Sequence, residues 1–249
     1  MKKKQLTKSR SSLIGAALLG LASMPGTATA IVPAGTQEAS GAISVPACSA
    51  PLIDDFSVGT YRSPDLVVGT DAASQAAPVL GGRRTTDFTS GLRNPYAMPA
   101  TLVIPGDGKA PLVASTGYQG NSRLRLWYGF DKNRQLVPLN ANLSCFDRFR
   151  VRIAGSDQSL NIVVQVKSGS AVSVYQSGTN TVGAMPAGGT IDFKLSTFTN
   201  DDLGAPPVDW KDIDRILLQV QPTVQVGIAP FGSIDYAIAR FDLARPAAS

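Results

Sequence analysis

No histidine occurs anywhere in the 249 residues, and the single glutamate is Glu38. The first absence removes Ser-His and Cys-His nucleophile pairs, His-ligated zinc and the commonest general acid/base. With one Glu among 18 acidic residues, a carboxylate pair for glycoside hydrolysis has to come from the 17 aspartates. Asp54 with Asp55, Asp201 with Asp202, and Asp212 with Asp214 are the clusters, and each reads first as turn, strand-end or hard-cation chemistry. No GxxxxGK[ST] or GxGxxG opens a helix, so nucleotide binding has no signal here. IPGDGKAP reads as a turn, and its GDG lacks the acid series and closing Glu of an EF-hand loop. The longest apolar run, Leu13 to Met24, has 12 residues, against about 20 for a bilayer span. No segment keeps apolar residues at i, i+3, i+4 and i+7 over three turns, which excludes amphipathic helices as the building unit.

The same apolar run follows a basic start (MKKKQLTKSR) and precedes Ala28-Thr29-Ala30, the small-x-small pattern of signal peptidase. Residues 1–30 are therefore expected to be a secretory signal peptide, and the protein to be secreted or periplasmic without a membrane anchor. Lys2, Lys3, Lys4, Lys8 and Arg10 leave with that peptide, so 23 basic residues fall to 18 against 18 acidic ones. The net charge of +5 thus belongs to the targeting segment, and whole-chain electrostatics gives no case for nucleic acid. Residues 31–50, rich in Ala, Pro, Gly and Ser without period, read as a leader or linker, and 51–249 as a single domain. Cys48 and Cys145 are the only cysteines, and in an oxidising compartment such a pair is a candidate disulfide.

Strand signals recur along the mature chain, and the expected class is an all-β antiparallel jelly-roll sandwich. The clearest alternating runs are RLRLWYGF (123–130), RFRVRIA (148–154), LNIVVQVK (160–167), TIDFKL (190–195) and RILLQVQ (215–221). Period-2 alternation sends Leu124, Leu126, Tyr128 and Phe130 inward with Phe149, Val151, Ile153, Ile191, Phe193, Leu195 and the apolar rows of 160–167 and 215–221. The opposite rows hold Arg123, Arg125, Trp127; Arg148, Arg150, Arg152; Asn161, Val163, Gln165, Lys167; and Arg215, Leu217, Gln219, Gln221. If several share one sheet, that sheet offers planar amides, guanidinium groups and one indole, a mixture suited to sugars. The alternative is an ordinary wet outer face, which every sandwich has.

Six stretches occur in a telling order: LIDDFSVG (52–59), APVLGGRRTTDF (77–88), PLNANLSCFDRFRVRIAGSD (138–157), IDFKLSTFT (191–199), VDWKDIDRILLQV (208–220) and GSIDYAIARFDL (232–243). Together they resemble the galactose-binding-like jelly rolls, especially family 11 carbohydrate-binding modules and the complex I intermediate-associated group. The resemblance implies a non-catalytic β-sandwich that binds glycan or protein on one curved face, often with a structural calcium between first and last strands. Asp54 or Asp55 and Asp242 match calcium positions, although Ala237 and Ala239 stand where such domains often place an acid. Ligand contacts are nominated on strand parity as Trp127, Arg123 and Arg125, with Tyr96 and Tyr118 as loop alternatives. The two arginines favour an acidic glycan. The leading expectation is an exported, non-catalytic carbohydrate-binding or surface interaction domain needing no cofactor, with a protein partner at the cell surface as the other ligand class. A structural or envelope-assembly scaffold comes second, and an Asp-dependent glycan-active enzyme third.

Overall fold

The computed structural model describes residues 48–169, 174–201, 206–223 and 233–246. The expected signal peptide, the leader up to residue 47, and Asp202 lie outside the described residues. The described chain forms fourteen strands: β1 (Leu52–Asp54), β2 (Tyr61–Arg62), β3 (Gly69–Ala76), β4 (Arg83–Arg93), β5 (Ala100–Ile104), β6 (Leu112–Thr116), β7 (Asn121–Tyr128), β8 (Arg148–Ser156), β9 (Leu160–Ser168), β10 (Val174–Val182), β11 (Gly189–Lys194), β12 (Thr199–Asn200), β13 (Ile213–Pro222) and β14 (Ile234–Ala244). They make two seven-stranded antiparallel sheets. The first runs β11-β8-β14-β6-β5-β2, with β1 also on β14; the second runs β12-β10-β9-β13-β7-β4-β3.

Alternation decides what lies between the sheets. Leu124, Leu126 and Tyr128 of β7, Phe149, Val151 and Ile153 of β8, and Ile216, Leu218 and Val220 of β13 are all buried in one core. Each such side chain contributes about 1.5–3 kcal/mol relative to exposure. Rings join the layers: Phe241 of β14 lies 5.7 Å from Phe149 and 6.1 Å from Tyr128, centroid to centroid. The IPGDGKAP stretch is the β5–β6 turn, closed by Asp107 Oδ1 accepting from the Lys109 and Ala110 N–H groups.

A polar tie crosses the core as well. Asp54 of β1 receives Arg84 Nη1 of β4 on both oxygens, at 2.9 and 2.7 Å, and the Tyr128 hydroxyl of β7 at 2.9 Å. Arg84 is fully buried and spends Nη2 on the Val58 and Gly59 carbonyls. A buried charge persists only when it is paired and its remaining donors are bonded, and Arg84 meets both conditions. The Cys48–Cys145 disulfide, with Cα atoms 6.1 Å apart, ties the segment before β1 to the β7–β8 connection, and the Ser49 N–H donates to the Asn142 carbonyl beside it.

The structure corrects two inward assignments and one grouping. Phe130 is half-buried and turned outward, because β7 ends at Tyr128 and Gly129, at φ +100°, breaks the two-residue period. Leu195 opens a 3-10 turn and lies only partly against the core. Arg148, Arg150 and Arg152 sit on β8, in the first sheet, where Asp147, Asp192 and Asp242 pair with them. They share no sheet with Trp127.

Candidate functional site

β7 lies third from one edge of the second sheet, so its outward row has neighbours on both sides. Register sets Trp127 beside Leu217 of β13 and Thr85 of β4, Arg125 beside Gln219 and Asp87, and Arg123 beside Thr89. One strand further, on β9, Gln165 follows Leu217 and Asn161 follows Gln221. The rows of β7, β9 and β13 therefore do share one face, with Thr85, Asp87 and Thr89 of β4 added to it.

Trp127 is half-buried. Its indole N–H donates to Asp87 Oδ2 at 3.0 Å, its ring meets Phe130 edge-on at 6.0 Å, and the Arg215 guanidinium lies 5.0 Å from the ring centroid. Arg134, from the turn after β7, donates its Nη2 to the other oxygen of Asp87. Thr85, Asp87, Trp127, Phe130, Arg134 and Arg215 enclose a pocket of about 260 Å³, below the ~300–1,000 Å³ of drug-sized ligand sites. It has an aromatic corner, a carboxylate and two cations, room for one ring rather than an oligomer.

Beside the pocket, Arg125 Nε donates to Gln219 Oε1 at 2.8 Å. Burial lowers the Arg125 pKa from its ordinary value and the like charge of Arg123 lowers it further, while Asp87 opposes both. Arg123 enters no ion pair among the described residues, and its Nε is buried without a hydrogen-bond partner. Two guanidinium groups two residues apart on one strand face, one of them without a counter-charge, form a local cationic stripe.

Sequence reasoning placed Arg215 on an outward row but missed Asp87 and Arg134, and sent Phe130 inward. A glycine inside a strand pattern marks a bulge or break, so the YGF triplet carried the signal that Phe130 leaves the core. Nothing in the local pattern around Asp87 or Arg215 points to Trp127, since both reach it from other strands.

The loop alternatives sit together elsewhere. Tyr96 precedes β5 and Tyr118 precedes β7; both are exposed, with ring centroids 5.4 Å apart. Asn94 fixes that loop by bonding the Val67 and Met98 carbonyls and the Met98 N–H. Their mutual contact leaves no slot between the rings.

The three aspartates nominated for calcium are held by other groups. Asp54 accepts from Arg84, Tyr128 and the Phe56 N–H. Burial pushes its carboxyl up, with Arg84 the chief opposing influence. Asp55 accepts from the Ser57 N–H, and hydrogen bonding first from the Ser57 side chain and then from that N–H holds its carboxyl below the usual value against burial. Asp242 Oδ2 forms ion pairs with Arg240, at 2.8 Å, and Arg152, at 3.5 Å, while its Oδ1 is buried without a hydrogen-bond partner. Among the described residues no three His, Cys, Asp or Glu side chains converge as a metal-binding group, and a cation at Asp54 or Asp242 would meet guanidinium charge.

No family model matches the sequence, and no curated protein matches it. Among solved structures, the chain is similar to a family 11 carbohydrate-binding module from Clostridium thermocellum in complex with a β-1,3-1,4-mixed-linked tetrasaccharide. That likeness has 12% identity and a TM-score of 0.35, and covers 80% of this chain and 98% of that one. The family 11 module of a cellulosomal cellulase from Clostridium thermocellum matches at 12% identity and a TM-score of 0.37, over 82% and 99%. A carbohydrate-binding module described for the β-sandwich superfamily matches at 12% and 0.32, over 73% and 59%. At these values the site's meaning rests on its own geometry.

Proposed function

We propose that this protein is a non-catalytic carbohydrate-binding domain that works outside the cytoplasm and takes acidic glycans on the outer face of its second sheet. One observation carries the reading: the aromatic corner of Trp127 and Phe130 opens beside Arg125, Gln219 and Arg123 on a single strand face. A sugar ring presents C–H groups to an aromatic surface and hydroxyls to amides and guanidinium groups. One ring would lie in the Trp127–Phe130 pocket, and the next units would run along β7 toward Arg123. There a uronate or sulfate would pair with the guanidinium groups. The disulfide supports an oxidising compartment, secreted or periplasmic. No helix of the described residues is long and apolar enough to cross a membrane.

Titration of carboxylated, sulfated and neutral polysaccharides against the parent and Trp127→Ala tests this. Stacking and a charge-assisted bond are each worth about 1–3 kcal/mol, so Trp127→Ala should weaken binding by about tenfold or more. Arg123→Gln should remove the preference for acidic over neutral chains and flatten the salt dependence. Equal binding by Trp127→Ala and the parent would take Trp127 out of the site. Absence of any glycan binding would overturn the reading.

A further inference from the structure

Among the described residues five strands pair on one side only, and four of them are blunted; β1 is three residues long. β2 and β12 are two residues long, and β11 carries Lys194 and is covered by Asn180, whose Nδ2 donates to the Asp192 carbonyl at 3.1 Å. β3 differs: it runs eight residues (GTDAASQA) in unbroken register with β4. It holds no proline, lysine or arginine, and its one acid, Asp71, accepts the Tyr61 hydroxyl. A long edge strand without proline or a basic residue of its own is the form that pairs with another strand.

The parity of the β3–β4 ladder shows which backbone groups are free. The Ala77 N–H donates to the Gly82 carbonyl next to the Ala76–Arg83 pair. Antiparallel ladders alternate, so Asp71, Ala73 and Gln75 bond to β4, whereas Thr70, Ala72, Ser74 and Ala76 aim N–H and C=O at the open edge. The Ser74 carbonyl already accepts Arg83 Nη1 at 3.3 Å. Gly59 crosses the Ala76 end, where a Cβ on it would lie 3.3 Å from the Ala76 carbonyl oxygen. The usable edge is Thr70 to Ser74.

We propose that this edge takes the same edge of a second copy of the chain, antiparallel about a two-fold axis at Ala72. The register is self-complementary: Ala72 exchanges both bonds with the partner's Ala72, and the Ser74 N–H donates to the partner's Thr70 carbonyl, while the Thr70 N–H shares the partner's Ser74 carbonyl with the partner's Arg83. Asp71 then faces the partner's Ala73, so no like charges oppose. The exposed valines argue for the same occupant. That register sets residue 68 of one copy against residue 76 of the other, bringing Val68, 72% exposed, to the end where Val58, 44% exposed, flanks Gly59. Both lose water twice over in one symmetric contact. The two second sheets merge into one sheet with both outer faces on the same side. The two β7 strands lie five strand spacings apart, about 24 Å. Resting on the glycan reading, this makes the dimer bivalent toward a polymer.

Sedimentation velocity on the purified protein over a wide concentration range tests the dimer without any ligand. The parent should sediment as a dimer, and Ala72→Pro, which deletes only an outward N–H, should sediment as a monomer with unchanged circular dichroism. Val68→Asp should weaken the dimer without touching the ladder, and keeps the test sound if the proline variant misfolds. Backbone amide exchange at Thr70, Ala72 and Ser74 should be slow in the parent and fast in the monomer. Loss of avidity should weaken polysaccharide binding by about 100-fold while leaving a short oligosaccharide unaffected. A monomeric parent, or a dimer that survives both substitutions, overturns the proposal whatever the glycan result.

Discussion

Replacing Arg84 with methionine removes the cation of the core tie while keeping most of its packing volume. The change deletes two bonds to Asp54, one each to the Val58 and Gly59 carbonyls, and the long Nε bond to Gln75 Oε1. Asp54 keeps the Phe56 N–H and the Tyr128 hydroxyl but loses its only countercharge. Breaking a buried pair from one side costs about 3–5 kcal/mol, and a domain of this size shifts by about 2–4 °C per kcal/mol. A melting point lower by roughly 6–20 °C is expected.

The cost should depend on pH, and the sign follows from Asp54. Burial raises its folded carboxyl above the ordinary carboxylate value even beside Arg84, and losing Arg84 raises it further. A raised folded value means that the native state binds the proton more tightly than the unfolded one. The penalty is then absent below the unfolded value, grows as pH rises through the folded value, and is complete above it. Arg84→Met should therefore lose less stability at acid pH than at pH 8. Adding Asp54→Leu should recover part of the loss, because it removes the orphaned charge. Urea unfolding of the parent, both single variants and the double variant at two pH values measures this as a cycle. A loss below 1 kcal/mol for Arg84→Met, or one that does not vary with pH, refutes the account of Arg84 as the countercharge of a buried carboxylate.

Loss of the Cys48–Cys145 bridge, which spans 97 residues, should cost up to about 4–5 kcal/mol in the chain-entropy model. Melting of the Cys48→Ser/Cys145→Ser variant beside mass spectrometry of a non-reduced parent digest checks it, and two free thiols in exported material would remove its basis. Gly129→Ala should destabilise by about 1–3 kcal/mol, since φ is +100° and an added Cβ would lie 2.5 Å from the Asp214 carbonyl oxygen. The same variant should weaken glycan binding by displacing Phe130, and an unchanged melting point would contradict the strain. EDTA or added calcium should leave the melting point unmoved, because guanidinium groups already hold Asp54 and Asp242; a clear upward shift with calcium would reverse that reading.

The strands and inner faces were largely legible because burial imposes a two-residue period on any strand with one face in the core. RLRLWY, RFRVRI and LNIVVQV show it plainly, and β7, β8 and β9 bury the expected rows. β3 was not legible: GTDAASQA has no apolar alternation, since its place at the edge asks little burial of it. Phe130 was misplaced because periodicity assumes an unbroken strand, and one glycine at positive φ ended it. The stripe Trp127, Arg125, Arg123 was found by parity alone. Its partners Asp87 and Arg215 lie 40 and 88 positions from Trp127 along the chain, and no local pattern connects residues that distant.

The all-β class, the side each strand turns to the core and the cysteine pair available for a bridge follow from local alternation and residue supply. Which rows share a sheet depends on the fold. It put Arg148, Arg150 and Arg152 among aspartates on one face and Trp127 with Arg125 and Gln219 on the other, and it gave Asp54 to Arg84. Strand order and ion pairing arise from contacts between segments far apart in the chain, whose energies exist only once two sheets have closed on a common core.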